Sequence, residues 1–316
     1  MFTDTHDPVM LERIVEVLSP SLQHPGAVFV DATLGLAGHA RAVLLACPQA
    51  RLIGIDRDPD ALEVARERLG PLAERADLVR AVNSDLSDVV AALGIDRVDG
   101  VLLDLGLSSL QIDRVERGFA YRVDAPLDMR MGQTGPSAAD LINQALPAEL
   151  VRILRSYGEE RFAERIVRAI VAERDQAPFT TSARLVAAIQ KAIPVAAART
   201  GGHPAKRTFQ ALRIAVNDEL EVLDRTLESA LGLLALDGRV AVLAYHSLED
   251  RAVKRALAAL ATDQAPRQMP VVPEHLQPQL RLLTRGAERP SHDETQRNPR
   301  AASARFRAAT RIREAS

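Results

Sequence analysis

Val28-Phe29-Val30-Asp31-Ala32-Thr33-Leu34-Gly35-Leu36-Ala37-Gly38-His39-Ala40 is the stretch whose reading decides the fold. Its first five residues make the short apolar run that a buried parallel strand requires, and the run leads straight into Gly35 and Gly38. These glycines admit positive φ and let backbone N–H groups approach a ligand, so a turn follows the strand. Ala40 to Ala46 then continues as a helix, and Arg51-Leu52-Ile53-Gly54-Ile55-Asp56 is a second strand ending on a carboxylate. This is half of a nucleotide-binding βαβ unit.

Two ligand classes use such a unit. A dinucleotide site favours three glycines in the pattern G-x-G-x-x-G, whereas Asp31-x-x-x-Gly35-x-x-Gly38 has an acid before the turn and no clean match. S-adenosylmethionine carries no phosphate, and its site needs room for a methionine tail with carboxylates for the ammonium and ribose hydroxyls. Asp56 is placed to accept from both ribose hydroxyls. The residues favour a methyltransferase, with an NAD-dependent oxidoreductase and a turn that holds no ligand as the alternatives.

Working outward, 316 residues with 47% hydrophobic content suffice for one large or two ordinary packed domains. Apolar runs such as Val240 to Ala244 are too short to span a bilayer, and the first residues lack the basic and apolar regions of a signal peptide, so a cytoplasmic protein without a membrane partner is expected. Cys47 is the single cysteine, which excludes an intrachain disulfide and a cysteine-based zinc site. No His, Asp or Glu spacing points to a metal. The net charge of −2 argues against indiscriminate coating of nucleic acid, although arginines cluster after residue 280.

The chain in order supports a doubly wound sheet. Pro8 to Leu18 reads as a helix, Pro59 to Leu69 as another, Asp77 to Val82 as a third strand and Gly100 to Asp104 as a fourth. Alternation then stops, and Ser137 to Ala145, Pro147 to Tyr157, Glu159 to Arg174 and Ser182 to Ala192 all read as helices. Thr208 to Leu234 reads as one long helix, Gly238 to Tyr245 as a strand, Leu248 to Ala261 as a helix and Leu280 to Thr284 as a strand. Ser303 to Ile312 is expected as a closing edge strand. The fold class is α/β, a Rossmann-like doubly wound sheet with an inserted all-helical domain, over 1–110, 111–206 (the insert) and 207–316.

Asp104 ends the fourth strand, where a residue faces a ligand across the top of the sheet. As a structural residue it would cap a turn. As a functional one it would serve an exocyclic amine, such as N4 of cytosine, whose lone pair is delocalised and attacks poorly; an acceptor beside the NH₂ concentrates that lone pair on nitrogen. Amino-methylating enzymes often follow this acid with Pro-Pro-aromatic, and Leu105-Gly106-Leu107-Ser108-Ser109 departs from that pattern.

These blocks, together with Glu116-Arg117-Gly118-Phe119, Pro126 to Met131, Tyr157 to Ala163, Arg207 to Ile214 and His246-Ser247-Leu248-Glu249-Asp250-Arg251, are similar to the bacterial ribosomal RNA small subunit methyltransferase H family over nearly the whole length. The resemblance implies transfer of a methyl group from S-adenosylmethionine to N4 of a cytidine in the decoding centre of 16S ribosomal RNA. The substrate would be the small ribosomal subunit, with no DNA partner; a homodimer is compatible with the sequence. It also implies that the helical insert helps recognise RNA. By matching positions, the cofactor would meet Gly35, Ala37, Gly38 and His39, with Asp56 on the ribose, Leu86 near the adenine, and Asp104 and Gln111 near the methionine end. Leu36, Ala37 and Ala40 depart from the family's usual Gly, Gly and Ser. Asp104 is the leading catalytic candidate, with Ser108 and His246 beside it, and Arg199, His203, Lys206, Arg207 and Arg213 are candidates for RNA contact. The non-enzymatic alternative is an RNA-binding assembly factor that keeps the fold without turnover.

Overall fold

The computed structural model of the protein describes residues 8–106, 114–132, 134–194, 203–263, 265 and 272–314. Ser108, Gln111 and Arg199 lie outside them. The chain divides into two compact units, one formed by Met1–Gly106 with Leu220–Ser316 and the other by Leu107–Glu219.

The strands are β1 (Val28–Asp31), β2 (Arg51–Asp56), β3 (Ala76–Arg80), β4 (Val98–Asp104), β5 (Leu234–Ala244), β6 (Leu280–Leu282) and β7 (Arg305–Arg311). The helices are α1 (Leu11–Leu18), α2 (Gly38–Ala46), α3 (Pro59–Leu69), α4 (Leu86–Ala92), α5 (Ala138–Gln144), α6 (Pro147–Gly158), α7 (Ala163–Arg174), α8 (Ser182–Ala192), α9 (Ala205–Asn217), α10 (Glu219–Leu233), α11 (Ser247–Ala261) and α12 (His292–Arg297).

The seven strands form one sheet in the order β3-β2-β1-β4-β5-β7-β6. From β3 to β5 all pairings are parallel, while β7 runs antiparallel to both β5 and β6, so the sheet is mixed. Alternate side chains enter two apolar layers, as a sheet covered on both faces requires. Phe29, Leu52, Leu102 and Leu243 pack on one side against Ile14 and Leu18 of α1, Val43 and Leu44 of α2 and Leu69 of α3. Val30, Ile55, Val101, Leu103 and Val242 pack on the other against Val90 of α4, Leu227 and Leu231 of α10 and Val253 of α11.

Local signals set the helix starts. Asp58 accepts from Asp60 N–H ahead of Pro59 in α3, and Ser137 forms a reciprocal capping box with Asp140 at α5. In the helical unit, α5 to α9 surround a separate core that includes Leu150, Ile166, Ile170, Phe179, Leu185 and Phe209.

Three expectations change. The second boundary falls after α9 and not at 206/207, because Phe209, Ala211 and Leu212 of α9 are buried in the helical unit's core. The single long helix over Thr208 to Leu234 is broken at Asp218, which adopts φ 50°. Asp tolerates this left-handed conformation better than most residues. Asn217 fixes the break by accepting from Met131 N–H at 2.7 Å and donating to Met129 O at 2.8 Å.

The expected edge strand β7 is interior, and β6 forms the edge. Its arginines find partners there: Arg307 makes two hydrogen bonds to Asp250, at 2.7 and 3.2 Å, and buried Arg311 donates through its terminal nitrogens to Gln279 Oε1 at 3.3 Å, to Arg313 O at 3.2 Å and to Leu231 O, while its Nε has no hydrogen-bond partner among the described residues. Among the described residues no helix is long and apolar enough to cross a membrane.

Candidate active site

Strands β1, β2 and β4 end on Asp31, Asp56 and Asp104. Strand order reverses between β1 and β4, and in open α/β sheets the ligand crevice lies beyond the strand C-termini at this point. Thr33 joins the two strand ends: its hydroxyl accepts from Asp104 N–H at 2.6 Å and lies 3.4 Å from Asp31 Oδ1, which also accepts Thr33 N–H at 3.1 Å.

The glycine turn is pinned to β2. Leu34 N–H donates to Ile55 O at 3.0 Å, and Gly35 N–H donates to Asp56 Oδ2 at 2.9 Å. The other Asp56 oxygen accepts Asp58 N–H at 2.9 Å. Each carboxylate oxygen therefore holds one backbone donor and keeps a lone pair for a diol. Ala37 stands in the left-handed region at φ 59°, a conformation that costs a non-glycine residue about 1–2 kcal/mol. At Gly38 a Cβ would lie 2.6 Å from Pro8 Cγ, so the approach of the preceding segment demands glycine.

His39 opens α2 but is buried. Its Nε2 is 2.9 Å from Val9 O, and its Nδ1 is 3.4 Å from Asp104 Oδ2. The second Asp104 oxygen accepts the hydroxyl of Tyr245 at 2.8 Å. Asp104 remains partly open, with 27% of its side chain exposed.

All three strand-end acids hold their protons more tightly than free carboxylates. Burial pushes Asp31 up to about 7, opposed by its Thr33 hydrogen bonds and reinforced by the charges of Asp104 and Asp56. Burial also raises Asp56 against its bonds from Asp58 and Gly35, and raises Asp104 against His39 and Tyr245. Among the described residues none of the three forms an ion pair with Lys or Arg. A desolvated carboxylate cluster of this kind favours a cationic ligand. S-adenosylmethionine, with its sulfonium and ammonium groups and its ribose diol, fits that donor set.

The remaining candidates are placed differently. Leu86 begins α4 with its side chain fully buried in the apolar layer. His246 is the N-cap of α11: Nδ1 accepts Glu249 N–H at 3.3 Å, while Glu249 Oε2 accepts the N–H groups of Tyr245 at 2.7 Å and His246 at 3.2 Å. Its Nε2 lies 3.0 Å from Glu249 Oε1 without hydrogen-bond alignment. Sequence reasoning missed Thr33 and Glu249 and read Tyr245 as the end of a strand. The Ser/His-x-x-Glu spacing of a capping box was a signal for Glu249; no local signal links Tyr245 to Asp104, which are 141 residues apart.

The description "MraW methylase family" matches residues 3–312. A ribosomal RNA small subunit methyltransferase H from Streptomyces avermitilis is 58% identical over 315 residues, covering 99% of each chain. One from Thermobifida fusca is 60% identical over 310 residues, covering 98% of this chain and 94% of that protein. With an α/β sheet whose strand-end acids suit S-adenosylmethionine and a family match along almost its whole length, the chain belongs to the MraW methylases and is an S-adenosylmethionine-dependent methyltransferase.

Proposed function

We infer that the protein methylates N4 of a cytidine in the decoding centre of 16S ribosomal RNA, within the small subunit and in the cytoplasm. The observation that carries this reading is a partly exposed carboxylate, Asp104, at the switch point of the sheet, oriented by Tyr245 and adjacent to the turn assigned to the cofactor. When bound, S-adenosylmethionine supplies an electrophilic methyl carbon. Gly35, Ala37, Gly38 and Asp56 would hold it. Asp104 would accept from the exocyclic NH₂, concentrate its lone pair on nitrogen and take up the proton that N4 releases. His246, whose Nδ1 is committed to the start of α11, is a less suitable acceptor.

The helical unit supplies features that suit RNA. Tyr121 stacks on His203 with ring centroids 4.6 Å apart, and Lys206 and Arg207 are exposed at the start of α9. Arg213 is engaged instead in a bidentate pair with Glu219, at 2.8 and 2.7 Å. Replacing Lys206 and Arg207 by Ala should weaken RNA binding and flatten its salt dependence while leaving cofactor affinity unchanged. Wild-type RNA affinity in that variant would return both to the solvated surface.

The decisive experiment is mass spectrometry of nucleosides from small-subunit particles incubated with the protein and methyl-labelled cofactor. Label in N4-methylcytidine is expected. Label confined to 5-methylcytidine or to protein would sink the N4 reading, and tight particle binding without transfer would indicate a non-catalytic assembly factor.

A further inference from the structure

Tyr245, just beyond β5, is held from three sides. Its N–H donates to Glu249 Oε2 at 2.7 Å and its hydroxyl donates to Asp104 Oδ1 at 2.8 Å. Its ring lies against Gly106, where φ is +99° and a Cβ would stand 3.3 Å from Tyr245 Cδ2. The glycine therefore makes the turn after β4 and leaves the ring in reach of the carboxylate.

The other oxygen of Asp104 is served less securely. Val9 O can only accept, so the 2.9 Å contact requires the proton of His39 to sit on Nε2. A neutral His39 then turns a bare lone pair toward Oδ2 at 3.4 Å, and only the imidazolium can donate there. The Tyr245 hydroxyl donates in either state of His39.

We propose that Tyr245 is a positioning residue for methyl transfer, whose hydroxyl fixes the orientation of the Asp104 carboxylate and preserves it as an acceptor for the reacting amine. The proposal rests on the reading of Asp104 as that acceptor. The groups facing Asp104 are His39 from α2, Tyr245 beyond β5, Glu249 from α11 and Asp31 at the end of β1. Burial and Glu249 push its titration upward, and His39 and the Tyr245 hydrogen bond draw it down. Burial and Asp104 hold the Tyr245 phenol well above its ordinary value, so it stays a donor at neutral pH. Removing the hydroxyl removes a downward influence, so Asp104 should titrate at higher pH.

The test is Tyr245→Phe, which keeps the ring. Single-turnover transfer to small-subunit particles at saturating S-adenosylmethionine should show its acidic limb displaced upward by about one pH unit. The rate should fall roughly tenfold on the acidic side of that limb and recover above it, with cofactor affinity unchanged. Wild-type rates at every pH would overturn the proposal, as would a uniform fall accompanied by a lower Tm. A ¹³C carboxyl titration of Asp104, assigned with Asp104→Asn, needs no RNA. An unchanged titration in Tyr245→Phe refutes the positioning role whatever the substrate. A displaced titration in a protein whose wild type leaves N4 unmethylated supports the hydrogen bond and removes the amine reading instead. If the Phe variant fails to fold, fluorotyrosine at the chain's three tyrosines, a stronger donor, should move the Asp104 titration downward, and no movement would overturn the proposal.

Discussion

Asp31, Asp56 and Asp104 stand at the C-terminal ends of their strands, while Asp77 and Asp99 stand near the starts of β3 and β4, at the opposite edge of the same sheet. The lower acids are matched. Asp77 lies 2.6 Å from Arg51 Nε with both side chains substantially solvated, and Asp99 accepts Val28 N–H at 2.8 Å and lies 3.2 Å from His24 Nε2. The upper acids are raised in proton affinity, chiefly by burial, and are without an ion pair to Lys or Arg among the described residues. One edge pairs Asp77 with an arginine and leaves Asp99 hydrogen-bonded at a strand start, and the other holds acids whose ionised form burial disfavours, at a cost in stability that binding of a cationic ligand would offset. The same residue type therefore reads as fold at one end of a strand and as chemistry at the other.

The comparison breaks most visibly at Asp104. Asp104→Asn keeps size and one acceptor oxygen but loses the negative charge, so turnover at saturating cofactor should fall by about 10²–10⁴-fold with the fold intact. Rapid-quench rates with separate cofactor binding decide it; retention of more than about a third of the activity would move catalysis elsewhere.

Asp31 sharpens it through pH. Its folded-state value is raised from 3.8 to about 7, so the favourable contribution is complete below 3.8 and is lost as pH rises through 7. Cofactor-free Asp31→Asn should match the wild type near the acid end of that window and exceed it in the alkaline range, by on the order of 2–4 kcal/mol. Denaturant midpoints at both ends measure this, and equal offsets would show that Asp31 is not held protonated by burial. The smallest effect belongs to the lower edge: Arg51→Ala should change unfolding free energy by less than about 1 kcal/mol, with little pH dependence, as for other solvated ion pairs. A larger loss would erase the contrast between the edges.

Much of this was legible from residue order. The β1-turn-α2-β2 segment was readable because apolar runs, Gly35 with Gly38 and a terminal acid all act locally, and Asp104 followed from its place at a strand end. The interior position of β7 was not, because Arg305, Arg307 and Arg311 look solvent-bound until Asp250 and the carbonyl partners are in place. The break at Asp218 depends likewise on contacts from Asn217 to Met129 and Met131, far back in the chain. His246 stands among the catalytic candidates by its motif, yet its three-residue spacing to Glu249 spells a helix cap.

The insertion of β7 between β5 and β6 also sets an order of events during synthesis. Val240 to Ala244 emerges with β4 available on one side, but the partner for its other side begins only at Arg305. While residues 245–304 are being made, an apolar central strand keeps an open row of N–H and C=O groups, the arrangement most prone to pair with the wrong chain. The nascent protein is thus most exposed to aggregation after Asp104 is already in place, and slow decoding or premature termination within that interval would yield a nearly complete chain with an unsealed sheet.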